Sequence, residues 1–179
     1  MLRKQDAMLL VIDVQGKLAR SVYEAEYVLL NQQKLAKGAN LSDLPVILTE
    51  QNPRGLGSTV PEIRELLGEL PAFEKTAFNA CLEQKFFSDM RSTGRKQVLV
   101  CGIEAHVCVF QTVANLLDLS YEVHVAADAV SSRSAWNREI ALQRMLKMGA
   151  VITSTEMALF ELMEVAEGDK FKEFTRIVK

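Results

Sequence analysis

The hydrophobic positions of this chain form short continuous runs that alternate with longer segments of helical spacing. Residues 8–12 are all apolar and are followed by Asp13, and a run without alternation is typical of a strand buried on both faces. Six segments in all predict strands: Met8–Ile12, Pro45–Thr49, Ala72–Lys75, Gln97–Cys101, Glu122–Ala126 and Ala150–Ile152. Strands that alternate with helices indicate a parallel sheet with helices on both faces.

Between the strands, apolar residues recur at helical spacing. The predicted helices are Tyr23–Lys37, one that starts in Thr59–Glu62, Leu82–Ser92, His106–Leu119, Ser134–Lys147, one from Thr153–Glu156 through Val165, and Asp169–Ile177. Gly38 suits the position after the first helix, and residues 59–62 and 153–156 resemble capping boxes. With right-handed crossovers, we expect a single domain over residues 1–179: a three-layer α/β/α sandwich with a six-stranded, mainly parallel, Rossmann-like sheet.

Composition narrows the function classes. The chain has 179 residues, of which 49% are hydrophobic, and its net charge is −2, so bulk charge does not favour nucleic-acid binding. Three cysteines do not form a disulfide framework, and the apolar runs are too short for a membrane span or for the core of a signal peptide. We therefore expect a cytoplasmic protein with no membrane or nucleic-acid partner.

Candidate chemistry lies where the predicted strands end, because functional groups of parallel sheets gather at the carboxyl ends of the strands. These positions carry Asp13, Glu50, Lys75, Gly102–Glu104 and Asp128. Taken singly, an aspartate here is a turn cap and a lysine is a surface residue. Together they would surround a cleft at one edge of the sheet.

Cys108 falls in the first turn of the helix predicted after the fourth strand. A helix N-terminus and a nearby lysine both favour thiolate, and a carboxylate can accept the thiol proton. Because Asp13 opposes a second negative charge, we expect only a modest lowering of the Cys108 pKa below about 8.5. Cys101, inside a strand, and Cys81 are interpreted as structural.

Several separated motifs resemble the isochorismatase-like cysteine hydrolases. They are Val11–Gln15, Phe73–Phe78, Gly102–Val109 and Asp128–Arg133, in that order along nearly the whole chain. The segment Thr49–Gly57 is further similar to the small isochorismatase-domain-containing proteins.

The resemblance implies residue roles. Cys108 would be the nucleophile, Asp13 the general base and acid, and Lys75 the group that stabilises the thiolate and orients Asp13. A cis peptide would join Ile103 to Glu104, and the amides of Glu104 and Cys108 would form the oxyanion hole. The expected substrate pocket consists of Gln15, Leu18, Glu50, Gln51, Phe78 and Glu104.

The resemblance also separates branches of the family. Nicotinamidases bind a metal through an Asp and two His, but the loop after the second strand has no histidine, so we expect no metal and no cofactor. Cys108 points to hydrolysis of a C–N bond in a small amide or ureido compound through a thioester. A vinyl-ether hydrolase and a non-catalytic scaffold that retains the triad are the alternatives.

Family members commonly assemble, and the apolar fraction is generous for a monomer. We therefore expect a homo-oligomer, a dimer or larger. The helix that carries Trp136 and the final helices are the expected contact surfaces.

Overall fold

The computed structural model describes all 179 residues and contains one six-stranded sheet. Its strands are β1 (Ala7–Ile12), β2 (Val46–Gln51), β3 (Ala72–Lys75), β4 (Gln97–Ile103), β5 (Glu122–Ser131) and β6 (Val151–Thr153). The spatial order is β3-β2-β1-β4-β5-β6, and every neighbouring pair is parallel. The predicted three-layer α/β/α fold is confirmed, and the central position of β1 and β4 places their carboxyl ends side by side.

Helices cover both faces of the sheet. They are α1 (Leu18–Ser21), α2 (Ala25–Leu41), α3 (Pro53–Leu56), α4 (Pro61–Leu67), α5 (Gln84–Ser92), α6 (Phe110–Asp118), α7 (Ala135–Lys147), α8 (Thr155–Met163) and α9 (Gly168–Val178). Side chains of α2, α4, α8 and α9 pack into one buried layer, and those of α5, α6 and α7 pack into the other. None of these helices combines the length and the apolar character that crossing a membrane would require.

The continuous apolar runs of the central strands supply both layers. In β1, Leu9 and Val11 join the layer beneath α2, whereas Met8, Leu10 and Ile12 join the opposite layer. Successive side chains of a strand point to opposite faces, so a strand that is buried on both faces is apolar at every position. This explains the unbroken apolar runs of residues 8–12 in β1 and 98–101 in β4.

One predicted helix end and one predicted helix cap were wrong. Gly38 does not follow α2 but lies inside it. A Cβ at this position would stand 2.1 Å from Leu159 Cδ2 of α8. This position is therefore a glycine because α2 and α8 pack closely here, and not because the helix ends here. The predicted capping box at Thr59 does not form either, since Val60 is the N-cap of α4 and Thr59 is bonded to Glu50 instead.

Candidate active site

Asp13 is the first residue beyond β1, and it turns sharply out of the sheet. Its φ is 53°, a left-handed conformation that Asp and Asn tolerate better than most residues. Its Oδ1 accepts a 2.6 Å hydrogen bond from Thr49 Oγ1 of β2. The neighbouring strand thus fixes the carboxylate at the carboxyl edge of the sheet.

Lys75, the last residue of β3, forms a buried ion pair with Asp13. Its Nζ lies 2.6 Å from Asp13 Oδ2, and the two side chains are only 1% and 2% exposed. Such a pair is stable only when further hydrogen bonds satisfy both groups. Thr49 satisfies the carboxylate, and Gln51 Oε1 accepts a second bond from Lys75 Nζ at 2.7 Å.

Gln51 itself is held from three sides. Its backbone N–H donates to Gln15 Oε1 at 2.7 Å, and its carbonyl accepts from Gln15 Nε2. Its own Nε2 donates to the Thr76 carbonyl at 2.8 Å. Because its amide nitrogen is committed to a carbonyl, its oxygen is the atom that faces the Lys75 ammonium, which orients Lys75 toward Asp13.

Cys108 lies in a widened, π-helical turn at Ala105–Val109 that precedes α6. The chain reaches this turn through Gly102, where a Cβ would stand 2.1 Å from the Ile12 carbonyl oxygen and φ is +131°. Only glycine allows β4 to approach β1 so closely at this point. The next peptide bond but one, between Ile103 and Glu104, is cis. The close approach brings the turn that carries Cys108 next to Asp13.

The predicted lowering of the Cys108 pKa is wrong. Burial, followed by the negative charge of Asp13, raises the pKa of this thiol to about 12, and the Lys75 ammonium only partly opposes them. The positive charge of Lys75 is already engaged by Asp13 at 2.6 Å, and Cys108 does not sit in the first turn of a regular α-helix. Burial also raises the pKa of Cys81 and of Cys101 to about 12. Cys108 is therefore a neutral thiol at rest.

Asp13 and Cys108 line one cavity of about 280 Å³ at the edge of the sheet. The complete lining is Asp13, Leu18, Gln51, Leu56, Phe78, Ile103, Glu104, Val107, Cys108 and Arg133. Four of the residues predicted for the pocket, Leu18, Gln51, Phe78 and Glu104, are among them. The structure thus brings Asp13, Lys75 and Cys108 together, with Lys75 directly behind the carboxylate.

Two residues predicted for the pocket do not line it. Gln15 is fully buried and clamps the loop after β2 through Gln51 and through the Gly57 carbonyl at 2.6 Å. Glu50 Oε1 accepts from the backbone N–H and the hydroxyl of Thr59 at 2.7 and 2.6 Å. Both side chains hold this loop, in which Thr59 also forms an antiparallel backbone bridge with Gln15.

Another strand-end residue, Asp128, has a structural role. It lies within β5, and its Oδ1 accepts from the backbone N–H and hydroxyl of Thr155 at the start of α8. Arg133, by contrast, lines the cavity, although it was not among the predicted site residues. The sequence feature that could have indicated Arg133 is its place in the motif Asp128–Arg133. Its contact with Glu104 is visible only in the fold, where the Arg133 backbone N–H and Nε both donate to Glu104 Oε1.

No group of three or more His, Cys, Asp or Glu side chains is arranged to hold a metal ion. His106 is bonded to Ser132 through Nδ1, and His124 is buried beside Glu122. Elemental analysis of the purified chain is the test of the predicted metal-free state.

The fold corresponds to that of a known protein family. The isochorismatase domain matches residues 7–157, and the chain belongs to the isochorismatase family. Over 179 residues it is 39% identical to the secreted isochorismatase effector Isc1 of Phytophthora sojae, covering 97% of this chain and 84% of that protein. It is 36% identical to isochorismatase domain-containing protein 2 of Xenopus laevis, covering 99% and 85%.

Solved structures agree with this assignment. The MAR1 ribonuclease of Caenorhabditis elegans superposes with a TM-score of 0.92 at 36% identity, covering 99% of this chain and 91% of that one. YcaC of Pseudomonas aeruginosa, solved with hexane-2,5-diol and covalent acrylamide, gives 0.90 at 26% identity, with 99% and 95% covered. The Escherichia coli YcaC product, an octameric hydrolase of unknown specificity, gives 0.89 at 25% identity, with 99% and 94% covered.

Proposed function

We propose that this chain is a cysteine-dependent hydrolase that cleaves a C–N bond in a small amide or ureido compound through a thioester. The observation that carries the proposal is the cavity in which Cys108 meets Asp13, with Lys75 buried behind it. Acrylamide is an electrophile that reacts with thiols, and its covalent attachment in the P. aeruginosa relative supports a reactive nucleophile in this branch of the family.

In the proposed reaction, Cys108 Sγ attacks the carbonyl carbon while Asp13 accepts the thiol proton. The C–N bond then breaks as Asp13 delivers that proton to the leaving nitrogen, which leaves an acyl-thioester on Cys108. Water attacks the thioester, Asp13 takes its proton, and the acid departs as the thiol is restored. The backbone amides of Glu104 and Cys108 are the proposed donors to the oxyanion.

The charge balance of the site favours this use of Asp13. Burial, and after it the negative charge of Asp13, raises the pKa of Cys108, so the resting thiol is neutral. When the thiol proton moves to Asp13, the buried site still holds one negative charge beside the Lys75 ammonium. The transfer relocates a charge inside the ion pair without adding one, so it avoids the desolvation cost of a new buried ion.

A panel of small amides and ureides tests the proposal by turnover. Wild-type chain and Cys81→Ala should hydrolyse the same compounds, whereas Cys108→Ala should lose activity, and alkylation of Cys108 should stop turnover. A vinyl-ether hydrolase would not need the thiol and would keep its activity after alkylation. Failure of the wild-type chain to turn over any compound, without acylation of Cys108, would favour the scaffold alternative.

We also propose that the chain forms a homo-oligomer. The E. coli relative is octameric, and Trp136 at the start of α7 is 71% exposed, although tryptophan is highly buried on average in folded proteins. Light scattering should give a mass of a dimer or larger, and Trp136→Glu should reduce it if α7 is a contact. A monomeric mass for the wild-type chain would contradict this proposal.

A further inference from the structure

Glu104 is the first residue after β4, and its side chain is only 9% exposed although it carries a carboxylate. It lines the active-site cavity. One of its oxygens is fixed by the segment that follows β5, because Oε1 accepts from the backbone N–H and from Nε of Arg133 at 3.0 and 3.1 Å. The cavity therefore contains a carboxylate whose position is set by the fold.

The second carboxylate oxygen, Oε2, accepts no hydrogen bond from the chain. Among the buried side-chain atoms, only Glu62 Oε2 and His124 Nδ1 lack a partner, so Glu104 Oε2 is not sealed in the interior. Since the rest of the side chain is buried, this oxygen is accessible from the cavity that Glu104 lines. An acceptor held away from bulk water without a donor is unfavourable, and it points to a ligand that supplies the donor.

The other side-chain acceptors of the cavity are already engaged. Asp13 Oδ1 accepts from Thr49, and Asp13 Oδ2 accepts from Lys75. Gln51 Oε1 accepts from Lys75 as well. Glu104 Oε2 is thus the carboxylate oxygen of the cavity that is free to select a group of the ligand.

The charges around Glu104 favour a neutral donor over a cation. The guanidinium of Arg133 already pairs with Oε1, and an ammonium at Oε2 would place a second positive charge beside it, where like charges repel. The nearby wall contains the apolar side chains of Leu18, Phe78 and Val107, which supply no compensating anion. A neutral N–H group gains a charge-assisted hydrogen bond without adding a charge.

From this arrangement, we propose that Glu104 Oε2 accepts a hydrogen bond from a neutral N–H group of the substrate other than the leaving nitrogen. The inference rests on the proposed function, in which the leaving nitrogen faces Asp13 to receive its proton. The N–H group at Glu104 therefore belongs to the other substituent of the scissile carbonyl. Glu104 is a specificity-determining residue that selects a carbonyl flanked by N–H groups on both sides over a simple amide.

Two stable cyclic probes of nearly equal shape test the inference without turnover. 2-Imidazolidinone carries an N–H group on each side of its carbonyl, and 2-pyrrolidinone replaces one of them with a methylene group. Ligand-observed NMR titration of the full chain should give 2-imidazolidinone a Kd about 10-fold or more lower, as expected for a hydrogen bond to a charged acceptor. Equal affinity for the two probes in the wild-type chain would overturn the proposal.

Glu104→Gln tests the acceptor at constant side-chain size. The two Arg133 donors select the amide oxygen, so the amide nitrogen faces the cavity, and the preference for 2-imidazolidinone should disappear. Glu74→Gln is the matched control, because Glu74 is exposed on β3 and lines a different cavity, and it should keep the preference. A preference that survives in Glu104→Gln would overturn the assignment. Because acylation of Cys108 is measured separately, a failed preference with intact acylation would refute only the role of Glu104, not the hydrolase.

Discussion

Replacing Lys75 with methionine should destabilise the protein far more than loss of an ordinary surface lysine. The change leaves Asp13 without its partner at a position where the side chain is 2% exposed, and an unpaired buried charge costs about 3–5 kcal/mol. With a urea m-value of about 2 kcal/mol/M, the unfolding midpoint should fall by roughly 2 M. Urea unfolding followed by circular dichroism measures this shift directly.

Two further variants separate the ion pair from other effects of the substitution. Lys172→Met removes a lysine that is 71% exposed and pairs with Asp169 at 3.1 Å, and it should cost at most about 1 kcal/mol. The double variant Asp13→Asn/Lys75→Met removes both buried charges and should be more stable than Lys75→Met alone. A cost below about 1 kcal/mol for Lys75→Met would refute the reasoning. So would a cost of the double variant that equals the sum of the costs of Asp13→Asn and Lys75→Met measured singly.

Three other predictions follow from the site and the core. Because the pKa of Cys108 is raised to about 12, its alkylation by iodoacetamide, read by peptide mass, should keep rising about tenfold per pH unit above pH 9; a plateau near pH 8.5 would contradict this. In Asp13→Asn the Cys108 thiolate becomes the counterion of Lys75, so the thiol pKa, titrated by thiolate absorbance, should fall below the wild-type value. Turnover should drop about 10²–10⁴-fold. An unchanged pKa would exclude a direct contact between Asp13 and Cys108. Gly38→Ala should lower the free energy of unfolding by about 1–3 kcal/mol through overpacking against Leu159. In a Leu159→Ala background the same substitution should instead stabilise the protein, as alanine normally does inside a helix. A stability change of the same sign in both backgrounds would disprove the packing explanation.

The sheet was predictable because its central strands are buried on both faces and leave an unbroken apolar signal. The ends of the strands were less predictable. β5 continues to Ser131, past the predicted end near Asp128. That carboxylate is accommodated by Thr155 of α8, a residue 27 positions away, and no local pattern reports such a contact.

The candidate catalytic residues were accessible to sequence reasoning for a different reason. Asp13 and Lys75 each terminate a strand, and parallel strands bring their carboxyl ends to one edge. The roles of Gln15 and Glu50 depended on where the loop after β2 folds back, and the pKa of Cys108 depended on its burial. Depth and loop path are tertiary properties, so residue type and spacing alone gave the wrong answer for these features.

The most direct test of the central claim is the covalent state of Cys108 during turnover. The chain is mixed with each compound of the amide and ureide panel, quenched in acid and measured as an intact protein, and the modified peptide is then mapped. We expect an acyl adduct on the peptide that carries Cys108, removed by hydroxylamine and absent in Cys108→Ala. Hydrolysis without any adduct in the wild-type chain, together with full activity in Cys108→Ala, would contradict a thioester mechanism at Cys108.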